Sequence, residues 1–248
     1  MPAQDRWVLA YEYDSTHCQV PTGVRLRVGR TLLVGREGDL ALGVAIPHQG
    51  ISRKALEVTA TEYGWDIHVS NTNGAVLHAW GQAPQIISGR QSVTWPRIAI
   101  RVLNGEKFDR DGAATHHWVL LEADMLTVTE AGPRATRSTT SRTVSPEPPL
   151  PLSPSQEQAV RLVFGELLTW PPRMPAEPLQ LGTAARRIGI SEAGVRDRLN
   201  HARDRTLRIG LHLGVGLTNP EYLYALVSAG FLSPPNAAIH RIPLPWLE

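Results

Sequence analysis

Residues 127–152 read TVTEAGPRATRSTTSRTVSPEPPLPL, a run of hydroxyls, arginines and prolines with almost no aliphatic periodicity. Such a stretch cannot bury enough apolar surface to offset the entropy of ordering it, and its proline-rich end is stiff and extended. It is therefore a linker, placed at residues 125–152. The chain on its two sides obeys different periods.

Before it, over residues 1–124, the sequence is built of short and often alternating apolar runs: RWVLAYEY, VRLRVG, TLLVG, KALEVTA, GWDIHV, GAVLHAW, QIISG, SVTW, RIAIRVL and HHWVLLEA. Gly, Asn, Pro and charged turns separate them, as in an all-β sandwich. After it, over residues 153–248, the period is helical. Ser153-Pro154-Ser155-Gln156 is a capping box with proline at the first helical position. Ala159, Val160, Val163, Phe164, Leu167 and Leu168 follow as one apolar stripe, predicting a helix from Leu152 to Trp170. LGTAARRIG and SEAGVRDRLNHARDRTLRIG predict two more helices, and NPEYLYALVSAGF a fourth, started by Asn219 and Pro220. The fold class is thus multidomain, an all-β sandwich followed by an all-α bundle.

Composition narrows the chemistry. Of the 25 basic residues only Lys54 and Lys107 are lysines, and the net charge is +2. Arginine suits bidentate contact with phosphate or carboxylate, although codon bias in a GC-rich genome yields the same count. The lone Cys18 rules out an internal disulfide and fits a reducing compartment. The N-terminus has no signal-peptide core, and no run approaches the roughly 20 apolar residues that span a bilayer. The expected location is cytoplasmic, with no membrane partner. His17-Cys18 and His116-His117 are adjacent pairs rather than ligand-spaced sets, and P-loop, GxSxG and HExxH motifs are missing. Neither a metal, a cofactor nor an enzyme is expected.

Three loops of the β-region carry groups that could converge. Gly35-Arg36 follows TLLV, Ser52-Arg53 precedes KALEV, and Asn71-Thr72-Asn73-Gly74 follows WDIHVS. With the apolar Val44 and Ile46 and with Trp65, this ordered set resembles the forkhead-associated (FHA) domains, phosphothreonine-binding β-sandwiches. The resemblance covers roughly the first hundred residues. It implies that Arg36 and Ser52 grip phosphate with help from Thr72. Arg53 and Asn73 would hold the neighbouring peptide backbone, and Gly74 would permit the tight turn. The chemistry suits the ligand: a phosphothreonine carries about −1.5 to −2 charge and three acceptor oxygens, matched by a guanidinium fork, a hydroxyl and turn N–H groups. The sequence departs from the family at Ala55, where a loop-bracing histidine is usual, and at Ala75, where threonine or serine is. An FHA fold kept for packing or partner contact, without phosphate binding, is the alternative.

LGTAARRIGISEAGVRDRLNHARDRTLRIG reads as a helix-turn-helix. Ala185 is small where helices approach, Gly189 sits at the turn, Ile190 plugs the core and Ser191 caps the second helix. Val195, Leu199 and Ala202 give that helix one buried stripe. The opposite face carries Glu192, Arg196, Asn200 and Arg203, flanked by Arg198 and Arg205, and Arg186 and Arg187 precede the turn. Such side chains read base edges or hold phosphates. The block resembles the helix-turn-helix of LuxR-type regulators and of sigma-factor region 4, with the leading helix at Leu152–Trp170 and an unusually long connection after it. The resemblance implies a DNA interface of Arg186, Arg187, Ser191, Glu192, Arg196, Asn200 and Arg203. Ten arginines against eight acids from Ser153 onward, with Asp197 and Asp204 inside the recognition helix, leave open a face that docks a protein instead.

The combined expectation is a bacterial regulator that couples Ser/Thr kinase signalling to sequence-specific binding of double-stranded DNA, as a homodimer on its operator. Its phosphothreonine ligand is a partner protein or its own linker, where Thr136, Thr139, Thr140 and Thr143 lie among arginines within reach of a kinase. The alternatives are a phospho-dependent adaptor whose helical domain binds protein, and a degenerate FHA domain on a constitutive DNA binder.

Overall fold

The computed structural model describes residues 6–14, 22–95, 97–106, 115–123, 151–172, 174–208 and 214–232. They form two units. One holds the described residues up to 123 together with Phe164–Pro178, and the other holds residues 151–163 and 179–232.

The first unit is a β-sandwich. Its six-stranded sheet runs in the order β2 (Thr22–Leu26), β1 (Arg6–Tyr13), β11 (His116–Ala123), β10 (Arg97–Val102), β7 (Ala75–Ala79) and β8 (Gln85–Ile87). The second sheet runs β4 (Leu40–Ala41), β3 (Thr31–Gly35), β5 (Leu56–Ala60), β6 (Trp65–Val69) and β9 (Gly89–Val93). Pairing is antiparallel except between β3 and β4. Val34, Leu56, Val58, Trp65 and Ile67 from one sheet meet Val8, Leu77, Ile98, Ile100 and Val119 from the other in a single core. The alternation seen in LEVTA and WDIHV is the pattern of a sheet with one face inward and one toward water. Every expected strand is present, while β4, two residues long, carried no pattern of its own.

β1 and β11 differ, being buried along nearly their whole length. Their second face carries another cluster, Trp7, Leu9, Tyr11, Ala99, Trp118 and Leu120, against which Tyr13, Trp170 and Met174 pack. Trp170 and Met174 belong to the segment Phe164–Pro178, which lies over the outer face of the six-stranded sheet. The Tyr11 hydroxyl donates to the Pro172 carbonyl at 2.7 Å, the Trp80 indole N–H to the Leu168 carbonyl at 3.0 Å, and the Met174 N–H to the Tyr13 oxygen at 2.7 Å. This segment was expected within the helical domain at 153–248. It groups with the β-unit because an aromatic sheet face cannot be left to water.

The second unit holds α1 (Pro154–Val163), α2 (Leu181–Ile188), α3 (Glu192–Arg208) and α4 (Pro220–Ser228). The capping box forms as read: Gln156 N–H donates to Ser153 Oγ at 3.3 Å and Ser153 N–H to Gln156 Oε1 at 2.9 Å. α1 ends at Val163 rather than at Trp170. The Val163 carbonyl accepts the N–H of Leu179 at 2.7 Å instead of continuing the helical ladder, and Gly165, a weak helix former, follows. α2 ends on Gly189 at φ 75°, and Ser191 Oγ accepts the Gly194 N–H at 3.1 Å to start α3. Val195, Leu199 and Ala202 are buried, as their spacing predicts, and the Tyr222 hydroxyl of α4 donates to the Leu199 carbonyl at 2.6 Å. Among the described residues no helix is long and apolar enough to cross a membrane.

Candidate functional site

The three β-region loops meet at one end of the sandwich. Arg36 N–H donates to the Ser52 carbonyl at 3.3 Å and Glu37 N–H to the Arg53 carbonyl at 2.9 Å, so the turn after β3 lies against the loop before β5. Thr72 N–H donates to Ser52 Oγ at 3.1 Å, and the two hydroxyls stand 3.4 Å apart. Asn73 Nδ2 donates to the Gly50 carbonyl at 2.9 Å. Arg36, Arg53, Thr72 and Asn73 are exposed, and Ser52 is half-buried. The structure thus brings Arg36, Ser52, Arg53, Thr72, Asn73 and Gly74 to one rim.

Close approach requires the glycine before Arg36: a Cβ at Gly35 would run into the Arg53 carbonyl and the Ala55 N–H. Gly74 turns at φ 78° and closes the loop by donating its N–H to the Asn71 carbonyl at 2.9 Å.

Arg36 spends its Nε–H on the Ile51 carbonyl at 2.6 Å and meets no carboxylate among the described residues. The outer pair of nitrogens, with four N–H donors, remains to grip an oxyanion end-on. Arg53 lies 3.3 Å from Glu37 in a pair exposed on both sides, which water screens. A hollow of about 180 Å³ opens beside Asn73, lined also by Arg101, Asn104, Glu106, Thr115 and His116. Partial burial opposes ionisation of Glu106, but the Thr115 N–H and hydroxyl and the His48 ring outweigh it and hold its carboxyl below the ordinary value.

The resemblance singled out residue 55 as a missing brace. Ala55 is wholly buried, and its carbonyl accepts the N–H groups of Ser70 and Asn71 at 3.0 and 2.9 Å. The side chain that ties the loops is Asn71. Its Oδ1 accepts Ser52 N–H at 2.9 Å, and its Nδ2 donates to Gly74 O at 2.9 Å and Leu103 O at 2.7 Å. His48 adds a second tie, Nδ1 accepting Gly50 N–H at 3.0 Å and Nε2 bonding Glu106 Oε1 at 2.7 Å. Asn71 was visible as a turn residue, but its partners were not. Nothing in sequence links His48 to Glu106. Val44, part of the apolar pair in the motif set, is 50% exposed.

In the helical unit Arg186, Arg187, Ser191, Glu192 and Arg196 are exposed, and Asn200 and Arg203 half-buried. The Ser191 oxygen is engaged as the cap of α3. Arg196 pairs with Glu192 at 2.8 Å across one helical turn, and Arg186 donates to Thr183 Oγ1 at 3.0 Å. Thr136, Thr139, Thr140 and Thr143 lie outside the described residues.

No protein-family model matches the sequence, and no curated protein matches it significantly. Among solved structures the chain is similar to the FHA domain of the CT664 protein from Chlamydia trachomatis, at 14% identity over 48% of this chain and 99% of that one, with a TM-score of 0.34. It is also similar to FHA-1 of Rv1747 from Mycobacterium tuberculosis, at 14% identity over 48% and 98%, TM-score 0.28. A third similar structure is the FhaA FHA domain complexed with the intracellular domain of Rv3910, at 19% identity over 46% and 99%, TM-score 0.29.

Proposed function

We propose that the β-unit is an FHA domain that binds phosphothreonine peptides, and that α2, its turn and α3 form a helix-turn-helix binding double-stranded DNA. The chain would then couple Ser/Thr kinase signalling to an operator. One observation carries the peptide half: Arg36, with no carboxylate partner among the described residues, shares a rim with the paired hydroxyls of Ser52 and Thr72. Such a group supplies charge-assisted donors at little ordering cost, because backbone bonds already fix the loops. Titrating the full-length protein with matched phosphorylated and unphosphorylated threonine peptides tests it. Preference for the phosphorylated form, lost in Arg36→Ala, is expected. Equal affinity in both proteins sinks the reading.

For the helical unit, the three-residue turn at Gly189–Ser191 and the buried stripe of α3 support DNA binding, with Arg186, Arg187, Arg196, Asn200 and Arg203 as contacts. A protein-docking adaptor is the second reading, favoured by the Glu192–Arg196 pair, which neutralises one of those arginines. Salt-dependent retardation of promoter DNA separates the two. Phosphorylation of Thr136, Thr139, Thr140 or Thr143 would supply a tethered ligand at an effective concentration near ~1 mM. Phosphopeptide mass spectrometry on cells with active kinases reads that directly.

A further inference from the structure

Residues 42–55, between β4 and β5, carry Ser52 and Arg53 and contain neither strand nor helix. A loop without regular structure holds one shape only where its backbone groups find fixed partners. The second half of this loop is tied by residues already described: Gly50 by His48, Ile51 by Arg36 and Ser52 by Asn71.

The first half is held from beneath. Glu12, on β1, is 2% exposed, and its carboxylate faces the loop backbone. Oε1 accepts the N–H of Gly43 at 2.5 Å and of Val44 at 3.4 Å, and Oε2 accepts that of Ile46 at 2.7 Å. His117, opposite Glu12 in the β1–β11 register and itself fully buried, places Nε2 at 3.1 Å from the Ile46 carbonyl and 3.8 Å from Glu12 Oε2. A carbonyl only accepts, so Nε2 carries the hydrogen. Burial pushes the ring's pKa down, against the opposing pull of that carbonyl and of the Glu12 carboxylate.

A buried carboxylate is a poor means of stabilising a fold; an apolar residue of similar size commonly does as well. Its use here is geometric. Two oxygens at the reach of a glutamate gather three N–H groups on one short stretch, which no apolar side chain can do.

We propose that Glu12 is a positioning residue of the phosphopeptide site. It fixes Gly43–Ile46 and so determines where Gly50–Arg53 meet Arg36 and Thr72. The inference rests on the phosphothreonine-binding reading and adds a residue that touches no ligand.

The test uses the full-length chain as wild type, Glu12→Gln, Glu12→Asp and Val8→Ala. Gln keeps the size but turns an amide NH2 toward an N–H donor, and Asp keeps the charge but shortens the reach. Val8, wholly buried on the same strand, reports general destabilisation. Phosphopeptide affinity, thermal midpoint and amide hydrogen exchange at Gly43, Val44 and Ile46 are measured together. Glu12→Gln is expected to weaken binding about tenfold and speed exchange at those amides, with a smaller change for Glu12→Asp. Val8→Ala should lower the midpoint with affinity unchanged. If Glu12→Gln does not fold, Glu12→Asp decides by the same readouts.

Wild-type preference for phosphopeptide with unchanged affinity in the Glu12 variants overturns this inference alone. So does a loss that Val8→Ala reproduces at equal midpoint. A wild type blind to phosphorylation overturns the binding reading, and this inference with it.

Discussion

The Tyr11 hydroxyl donates to the Pro172 carbonyl at 2.7 Å, joining the first strand to a segment 161 residues later. This bond ties the β-unit to chain well beyond its last strand. Trp170 and Met174 cover a face that Trp7, Leu9, Tyr11, Trp118 and Leu120 make apolar. Tyr11→Phe removes the bond and should lower unfolding stability by about 1 kcal/mol, read by urea denaturation. A chain ending after Leu126 should expose the aromatic face, bind a hydrophobic dye and self-associate in light scattering. A well-behaved monomer would contradict the covering role of Phe164–Pro178.

Asn71→Ala strands a half-buried donor at Ser52 and two acceptors, Gly74 O and Leu103 O. The expected cost is about 2–3 kcal/mol, accompanied by at least roughly tenfold weaker phosphopeptide binding. Calorimetric titration and chemical denaturation on one preparation give both numbers. Intact affinity at reduced stability would show that the loops keep their register without this side chain.

Two glycines separate steric from conformational need. Around Gly189 a Cβ meets nothing within 4 Å, so alanine there suffers only the φ of 75° and should cost about 1 kcal/mol. At Gly35 a Cβ collides with backbone of Arg53 and Ala55. Gly35→Ala must therefore move the Ser52 loop, losing more stability than Gly189→Ala and also weakening the proposed peptide binding. Thermal unfolding and peptide titration of both variants check the ranking.

His78 and His116 lie on the outer face of the six-stranded sheet, His78 against Trp118 at 4.8 Å and His116 against Tyr13 at 4.6 Å. Burial first, then the Arg101 charge, pushes each ring's pKa from 6.5 down to about 4; the neighbouring His117 also lowers His116, and Glu106 partly opposes it. Between those values the unfolded chain binds more protons than the folded one. Stability should therefore be full above pH 6.5 and fall as pH drops toward 4, less for the more solvent-screened His116 than for His78. Denaturation at pH 7 and 4.5 should show the loss, and the double variant His78→Gln/His116→Gln should reduce it. A pH dependence unchanged by that variant would rule these rings out.

For the DNA reading, about four phosphate contacts per monomer predict that log K falls with log salt at a slope of about −3.6. Arg187→Ala should make the slope shallower by about one and leave phosphopeptide affinity untouched. Retardation of promoter DNA across a salt series measures it. A slope near zero would favour the adaptor.

The particular elements show why reading from sequence succeeded where it did. LEVTA and WDIHV alternate because one face meets the core and the other meets water, and that is a local property. Ser153 to Gln156 close a capping box within four positions, and Asn219 caps α4 by accepting the Glu221 N–H at 2.9 Å. RWVLAYEY could be placed as a strand, yet nothing in it said what would cover its second face. The stripe from Ala159 to Leu168 suggested one helix, but Leu179 takes the Val163 carbonyl and ends it early.

The same boundary runs through the candidate site. Arg36, Ser52, Thr72 and Asn73 were legible because each stands in a short loop of recognisable chemistry. The partners of Asn71, His48 and Glu12 were not, since an amide, an imidazole or a carboxylate looks alike in sequence whether it faces water or a buried backbone. Periodicity, caps and turn residues depend on neighbours a few positions away, so the chain's order of residues determined them by itself. Which carboxylate lies beneath which loop, and which distant segment covers which sheet face, depends on pairings across tens to more than a hundred positions. Only the closing of the sandwich decided those, because burial assigns each polar group its partner when water is excluded.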